Sequence, residues 1–341
     1  MGLTDLRELM QKRVVTFDEL ATRGRVAIDA FNTLYQFLST IRLPDGTQLT
    51  DSKGRVTSHV SGLFYRTLNF LEKGIKPVFV FDGEPPEFKK RTRLEREERK
   101  LQAEEELKLA REEGRMEEAA SIAQRTARLT REMVDESKTL LSLLGVPFVQ
   151  APSEGEAQCA VLAEKKLCYA AASQDYDALL FGAPRLVRNL AIAGRRKLPY
   201  RKQFVNVEPE EINLDENLHA LGLTRKKLVW IALLCGTDFN KGVHGIGPKK
   251  ALKLVKEHDS LKKVLSAAKT EADWSDVEDF FLNPPEKSVK ESDLEFKPLQ
   301  RDAAIDFMLE RDFARERIEN ALARAFKNPV GSNQQGLVKW V

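Results

Sequence analysis

Blocks of apolar residues along the chain predict short strands separated by helices. Four apolar runs rich in β-branched and aromatic residues are typical of buried strands, at residues 25–30, 76–82, 147–151 and 167–173. Between them, residues 56–73 place apolar side chains on one helical stripe, and residues 155–166 form a second helix with a predicted N-cap at Ser153. Strands that alternate with helices predict an α/β fold with a mostly parallel twisted central sheet flanked by helices.

Carboxylates recur where these strands end, at the edge where open α/β sheets build their sites. Without nearby basic partners, such groups raise each other's pKa unless a cation neutralises them. An all-oxygen cluster suits Mg²⁺ or Mn²⁺, and two such ions can promote hydrolysis of a phosphodiester. The candidate ligands are Asp29, Asp82, Glu154, Glu156, Asp175, Asp177 and, after a predicted apolar helix at residues 228–234, Asp238.

Each carboxylate also has a purely structural explanation. Glu156 lies three residues after Ser153 and could close a capping box. Asp175 and Asp177 could be turn residues, and Asp82 precedes a glycine as turn residues often do. Asp29 is harder to explain in this way, because an unpaired carboxylate at the end of an apolar strand is costly to bury. Their joint placement at one edge favours metal binding over these alternatives.

Basic residues concentrate in two stretches that are candidates for DNA contact. Residues 225–256 contain eight basic residues and one acidic residue, and include Gly245, Gly247, Lys249 and Lys250 before a predicted helix. Such a hairpin presents backbone N–H groups to a phosphate, although a plain helix N-terminus would look similar. Residues 178–207 contain seven basic and no acidic residues, and Arg195 and Arg196 lie at a predicted hairpin tip, which a solvated loop could also explain.

A highly charged segment at residues 87–118 interrupts the alternation of strands and helices. Twenty-one of its 32 residues are charged, ten basic and eleven acidic, and its only turn signal is Gly114. The segment favours helix but is too polar to bury a face, so we expect it to project from the core and to order on binding. A solvated charged helix is the alternative interpretation.

Composition narrows the class of protein. The chain has 341 residues, of which 42% are hydrophobic and 31% charged, so a sizeable core is expected. The three cysteines form no C-x-x-C pattern, which argues against a disulfide framework or a zinc cage. No signal peptide or membrane span is predicted, and we expect an intracellular protein. The net charge of +3 becomes +10 when the seven candidate ligands are set aside, which leaves a basic remainder for DNA.

Several long motifs resemble one family. The strings VAIDA, VFVFDGEPP, PSEGEAQCA, AAASQDYDALLFG and GTDFNKGVHGIGPKKA stand in the order of the flap endonuclease branch of the XPG-type structure-specific 5′ nucleases. The resemblance covers nearly the whole chain. It implies a PIN-like 5′ nuclease fold with a helical arch and a helix-hairpin-helix element, and a monomeric enzyme that cuts branched DNA at the base of a 5′ flap in replication and repair, with 5′ to 3′ exonuclease action.

The resemblance also implies roles for single residues. The seven carboxylates match the family's ligands for two Mg²⁺ ions, which Mn²⁺ can replace. Lys89 and Arg96 match the basic pair at the base of the arch that contacts the scissile phosphate. Tyr35 matches an aromatic residue on which a base stacks, although core packing would also explain it. Gly2 matches a residue near the active site, and the hairpin of Gly245 and Gly247 matches an element that holds duplex DNA and a K⁺ ion.

The sequence near residue 340 indicates a second partner. Gln334, Leu337 and Trp340 repeat the spacing of sliding-clamp (PCNA) binding peptides, with Val341 in place of the usual second aromatic residue. The predicted organisation is a nuclease core at residues 1–220 with the arch at 87–135, a hairpin and helical region at 221–326, and a tail at 327–341. Two other functions stay open, another XPG-type nuclease specificity and a non-catalytic DNA-binding scaffold.

Overall fold

The computed structural model of the chain describes residues 5–197 and 204–327. Its described part contains one mixed sheet of seven strands and a separate two-stranded hairpin. The strands are β1 (Arg13–Val14), β2 (Arg25–Asp29), β3 (Lys76–Phe81), β4 (Phe148–Gln150), β5 (Ala170–Ala172), β6 (Arg185–Arg188), β7 (Gly194–Lys197), β8 (Phe204–Val207) and β9 (Glu210–Asn213).

The order of the large sheet is β1-β9-β6-β5-β2-β3-β4. Strands β6, β5, β2, β3 and β4 are parallel neighbours, whereas β9 and β1 add an antiparallel edge. At the centre, Ile28 of β2 lies opposite Phe79 of β3 and Ala172 of β5. The four strands predicted from the apolar runs are β2 to β5, so the mostly parallel α/β sheet is confirmed.

Helices cover both faces of this sheet. Short 3₁₀ turns occur at Asp5–Glu8, Glu87–Lys89, Gln124–Thr126, Leu190–Ile192 and Glu291–Leu294. The α-helices of the described part are α1 (Phe17–Arg23), α2 (Ala30–Thr40), α3 (Ser58–Glu72), α4 (Lys90–Glu112), α5 (Met116–Ala123), α6 (Arg131–Leu143), α7 (Gly155–Glu164), α8 (Asp177–Leu180), α9 (Leu214–Leu221), α10 (Arg225–Cys235), α11 (Pro248–Glu257), α12 (Leu261–Ala267), α13 (Ser275–Leu282), α14 (Arg301–Leu309) and α15 (Arg315–Lys327).

Successive side chains of the central strands point into two different cores, as the period of a strand requires. Val78 and Val80 of β3 belong to the core that includes α7, α10 and α13. Phe79 and Phe81 of the same strand belong to the core that includes α3, α6, α14 and α15. Both faces of the sheet are therefore buried, and its C-terminal edge is left to carry polar side chains.

The charged segment forms the predicted helices. Helix α4 ends near Glu112, the chain turns at Gly114 with a φ of +73°, and α5 follows from Met116. Ala103 and Ala110 of α4 are buried in a small cluster with Ala119 and Ile122, while most of α4 is exposed. Helix α4 and α5, called the arch here, therefore pack mainly on each other, and the glycine supplies the left-handed turn.

Two local predictions were wrong. Helix α7 has Glu154 as its N-cap rather than Ser153, because the Ser153 carbonyl accepts a hydrogen bond from Gly83 N–H at 2.6 Å and belongs to the neighbouring loop. The capping box through Glu156 is therefore absent. Arg195 and Arg196 lie within β7, paired with Asn206 and Val205 of β8, rather than at a hairpin tip.

The described residues include no helix that is both long and apolar enough to cross a membrane.

Candidate metal and DNA site

The first two carboxylates lie at the ends of adjacent parallel strands. Asp29 is the last residue of β2 and also the N-cap of α2, where its Oδ1 accepts a hydrogen bond from Asn32 N–H at 3.0 Å. Asp82 follows β3, and its Oδ1 accepts from Gly155 N–H at 2.8 Å. Asp29 is 5% exposed. Strand register and these backbone donors therefore fix both carboxylates at the C-terminal edge of the sheet.

Helix α7 brings two more carboxylates to this edge. Glu154 is its N-cap and Glu156 lies in its first turn. Glu156 Oε1 accepts a hydrogen bond from the hydroxyl of Ser173, which follows β5, at 2.5 Å. The side chain of Glu156 therefore faces the sheet edge instead of capping its own helix.

Asp175 and Asp177 follow β5, the strand that pairs with β2 on the side opposite β3. Asn32 Nδ2 donates to Asp175 Oδ2 at 3.0 Å, which ties α2 to the loop after β5. Asp177 is the first residue of α8 and is 2% exposed. Simple turn residues would be solvated, so the burial of Asp177 argues against the turn interpretation.

The electrostatics show that these carboxylates lie within interaction distance of one another. Burial raises the pKa of Asp29 well above its usual range, and the charges of Asp82, Asp175 and Glu154 add to that rise. Burial likewise raises the pKa of Glu156, with repulsion from Asp177, Asp175 and Asp29. For Asp82, burial and the charge of Glu154 raise the pKa to about 7.

A cluster of carboxylates of this kind is suited to binding hard divalent cations. All donors are oxygens and they repel one another, so a divalent cation would restore their charged forms. Among the described residues, no three His, Cys, Asp or Glu side chains are arranged as a metal cage. Oxygen donors of this kind suit Mg²⁺, which keeps several of its water ligands in protein sites.

Two basic side chains of the arch base lie against these acids. Lys89 Nζ donates to Glu154 Oε2, and Arg96 Nη2 donates to Asp238 Oδ1 at 2.5 Å. Burial alone would lower the pKa of Lys89, but Glu154, Asp238 and Asp82 more than offset it, and the pKa lies above its usual value. The Lys89 side chain therefore stays protonated, and its positive charge lies between the carboxylates of the sheet edge and the loop that contains Asp238.

Tyr35 lies on α2, the helix that Asp29 caps. It is 37% exposed, and the ammonium of Lys100 on α4 lies 5.1 Å from the centre of its ring. This exposure excludes the core-packing interpretation. An exposed ring between the carboxylates and the arch is suited to stacking with a base.

The basic hairpin has the backbone geometry expected from its glycines. Gly245 has a φ of +76°, Gly247 is the N-cap of α11, and Pro248 is its first residue. Lys250 Nζ donates to the Gly245 carbonyl oxygen at 3.0 Å, while the side chain of Lys249 is 83% exposed. Lys249 Nζ lies 3.9 Å from Glu8 Oε2 in an exposed ion pair, which solvent weakens and which a phosphate could replace, whereas Lys250 also braces the loop.

Other predicted residues cannot be placed in the same way. Only the backbone of Arg195 and Arg196 is described, within β7. Gly2 and the four residues of the clamp motif, Gln334, Leu337, Trp340 and Val341, lie outside the described residues.

Sequence reasoning missed the residues that hold the carboxylates in place. Asn32, Ser173 and Gly155 each donate a hydrogen bond to a candidate ligand. A signal existed for Asn32, because it lies three residues after Asp29 on the predicted edge of the sheet. Gly155 lies between two candidate ligands in sequence and Ser173 lies two residues before a third, but their donors could not be assigned without the fold.

Comparisons with known proteins show which family the chain resembles. The sequence matches the XPG N-terminal domain over residues 1–103 and the XPG I-region over residues 145–238. It is 50% identical to flap endonuclease 1 of Thermococcus onnurineus over 343 aligned residues, which cover 100% of this chain and 99% of that protein.

Solved structures show the same similarity. Flap endonuclease-1 from Methanococcus jannaschii matches with a TM-score of 0.73 at 39% identity, over 95% of this chain and 98% of that one. The catalytic core of Rad2 in complex with a DNA substrate matches with a TM-score of 0.67 at 25% identity, over 92% and 96% of the two chains. The chain belongs to the flap endonuclease family of XPG-type nucleases.

Proposed function

We propose that this protein is a Mg²⁺-dependent, structure-specific 5′ flap endonuclease that also has 5′ to 3′ exonuclease action. The observation that carries the proposal is the group of buried, mutually repelling carboxylates at one sheet edge, with Lys89 and Arg96 of the arch base against them. Full-length similarity to flap endonuclease 1 proteins supports the reaction. Flap removal during Okazaki fragment processing and repair is the corresponding cellular task.

The chain's own residues define how a substrate would be held. The carboxylates of Asp29, Asp82, Glu154, Glu156, Asp175, Asp177 and Asp238 would hold two Mg²⁺ ions, or Mn²⁺ in their place. Bound there, the ions supply Lewis-acid activation of water and stabilise the leaving 3′ oxygen. The products would carry a 5′ phosphate and a 3′ hydroxyl.

Lys89 and Arg96 act as the groups that neutralise developing charge on the scissile phosphate. In the structure Lys89 is paired with Glu154 at the sheet edge, and Arg96 is paired with Asp238 in the loop after α10. Glu154 and Asp238 would pair less strongly with the two cations when they hold metal, and both basic side chains would then be available to the phosphate. Tyr35 holds the neighbouring base by stacking, and the arch encloses the single-stranded 5′ end.

Duplex DNA is the proposed partner of the basic hairpin. Gly245 and Gly247 present backbone N–H groups, and Lys249 and Lys250 add positive charge beside them. A K⁺ ion at this hairpin would help to hold a phosphate. The relative with a DNA substrate, the Rad2 core, supports DNA as the class of ligand.

A panel of DNA substrates tests the proposed specificity. Flapped, gapped, four-way and blunt duplexes of equal length are incubated with the protein in Mg²⁺, and the product ends are mapped. We expect the flapped duplex to be cut fastest, within about a nucleotide of the junction. Faster cleavage of the four-way or gapped duplex would assign another XPG-type specificity, and no cleavage of any substrate would indicate a DNA-binding scaffold.

We also propose that residues 334–341 bind a sliding clamp of the PCNA type. Gln334, Leu337 and Trp340 supply the polar, aliphatic and aromatic positions of such a peptide. Deletion of residues 334–341 should abolish clamp binding in a pull-down and leave clamp-free flap cleavage unchanged. Clamp binding that survives the deletion would show that this assignment is wrong.

A further inference from the structure

A cluster of phenylalanine rings lies directly under the base of the arch. The rings of Phe88, Phe239 and Phe280 form a triangle, with centroids 5.6 Å (Phe88 to Phe239), 5.2 Å (Phe88 to Phe280) and 5.2 Å (Phe239 to Phe280) apart. All three pairs meet edge to face, the arrangement that aromatic quadrupoles favour. We call these three residues the aromatic triangle.

The aromatic triangle joins parts of the chain that are far apart in sequence. Phe88 lies in the 3₁₀ turn that precedes α4, Phe239 lies in the loop after α10, and Phe280 lies on α13. Phe239 and Phe280 are 5% and 8% exposed. The start of the arch is thus packed against the helical region that follows the nuclease sheet.

Two members of the triangle adjoin residues of the candidate site. Phe88 directly precedes Lys89 in the chain, and Phe239 directly follows Asp238. The ammonium of Lys89 also lies 5.4 Å from the centre of the Phe239 ring, where the negative face of the ring attracts a cation. Lys89 therefore contacts Glu154 on one side and the aromatic triangle on the other.

Phe88 supplies an apolar anchor at the start of the arch, in addition to the ion pair of Arg96 with Asp238. Lys89 is the N-cap of α4 and makes no side-chain capping bond, and the first residues of α4 are largely exposed. Phe88 is the large apolar side chain of the turn, and its ring packs edge to face against Phe239 and Phe280. The place of Lys89 relative to the carboxylates therefore depends on how Phe88 packs.

We propose that the aromatic triangle positions the ammonium of Lys89 for the phosphate, and that Phe280 does so without itself touching the candidate site. The proposal rests on the proposed function, which gives Lys89 its role at the phosphate. Removal of one ring from the aromatic triangle lets the turn at residues 87–89 shift. A small shift of a charged group that acts on the reacting phosphate lowers kcat more than it raises KM.

Substitution of Phe280 by leucine tests the proposal. In Phe280→Leu, we expect kcat for the flapped duplex to fall about tenfold while KM changes by less than about twofold. In a Lys89→Ala background, the same substitution should change kcat by less than about twofold, because the group that it positions is absent. The conservative variant Phe88→Leu, at a half-buried position, should repeat both results.

Val277→Ala is the matched control, since Val277 is a buried apolar residue on the same helix. It should leave kcat unchanged. An equal loss of kcat from Phe280→Leu in the presence and absence of Lys89, or a change confined to KM, would overturn the proposal.

Hydrogen exchange of the protein without metal or DNA gives a readout that is independent of the reaction. Backbone amides at residues 88–92 should exchange faster in Phe280→Leu than in wild type, and at the wild-type rate in Val277→Ala. Unchanged exchange in Phe280→Leu would contradict the proposal. If wild type cuts no flapped DNA, the proposed function fails, while this measurement still decides whether the triangle holds the turn.

Discussion

Asp82 shows how its neighbours set the chemistry of a single side chain. Its carboxylate is buried next to Glu154, which raises its pKa to about 7, and its Oδ1 accepts from Gly155 N–H. A glycine is needed at position 155, because a Cβ there would lie 2.5 Å from Asp82 Oδ1. The atom that would have to move is the end of a side chain, so the fold could adjust but the candidate ligand would be displaced.

Gly155→Ala should therefore damage the reaction more than the fold. We expect the single-turnover rate of flap cleavage to fall by about 10- to 100-fold, because a candidate metal ligand is displaced. The midpoint of thermal unfolding should change little. Ala160→Gly, a buried position on the same helix, is the control that weakens α7 without touching Asp82. An unchanged rate in Gly155→Ala would remove Asp82 from the site.

At the level of single residues, the sequence predicted the candidate ligands better than their supports. Asp29 and Asp82 could be placed at one edge because parallel strands end together. The pairing of Lys89 with Glu154 joins residues 65 positions apart, and that of Arg96 with Asp238 joins residues 142 apart. Only the resemblance to the family indicated that these basic residues belong to the site.

Among the elements, a buried polar network joins α3, α6 and the end of α14. His59 Nε2 lies 2.9 Å from Glu136 Oε2 and donates to it, because a carboxylate can only accept. Arg311 Nη2 donates to Glu136 Oε1 at 2.7 Å. Burial would raise the pKa of Glu136, but the hydrogen bonds from His59 and Arg311 lower it below its usual value.

Glu136→Gln should destabilise the protein in a pH-dependent way. A lowered carboxylate pKa contributes stability above about pH 4.5, and this contribution disappears as the pH falls through the folded value. At pH 7 we expect the variant to lose about 1–3 kcal/mol in the free energy of unfolding, since two partners lose a charged acceptor. Urea unfolding at pH 7 and at successively lower pH measures this, and a difference that stays undiminished as the pH falls well below 4 would contradict it.

The elements that sequence predicted well are those with strong periodicity. Strands β2 to β5, helix α3 and helix α10 follow from apolar runs and one-sided stripes. The N-cap of α7 was misplaced because Ser153 is used by a loop contact with Gly83, which no local pattern reveals. A hairpin tip at residues 194–197 is the wrong prediction, because the basic residues of the paired strand Gly194–Lys197 carry no register signal.

At the level of the whole molecule, an acidic pocket and a basic surface explain a net charge near zero. The carboxylates are gathered at one sheet edge, while exposed lysines such as Lys249 lie around the hairpin before α11. Charge that is separated in this way attracts a phosphate backbone at one place and cations at another. Total charge alone, at +3, gave no sign of either.

Binding of duplex DNA should depend steeply on salt, and Lys249 should carry part of that dependence. Lys249→Ala should weaken binding to flapped and plain duplexes alike and reduce the slope of log Kd against log salt by about 1. Lys263→Ala, an exposed lysine paired with Asp259, is the control and should leave the slope unchanged. Fluorescence anisotropy in EDTA measures both, and an unaltered slope in Lys249→Ala would exclude a phosphate contact there.

The central claim is that the carboxylates at the sheet edge hold Mg²⁺ for phosphodiester hydrolysis. The most direct measurement is cleavage of one flapped duplex by wild type and Asp177→Asn, in Mg²⁺ and in EDTA, with folding checked by circular dichroism. We predict cleavage at the flap junction by wild type in Mg²⁺, none in EDTA, and a loss of at least about 100-fold in Asp177→Asn. Equal cleavage in EDTA, or a fully active and folded Asp177→Asn, would contradict the account.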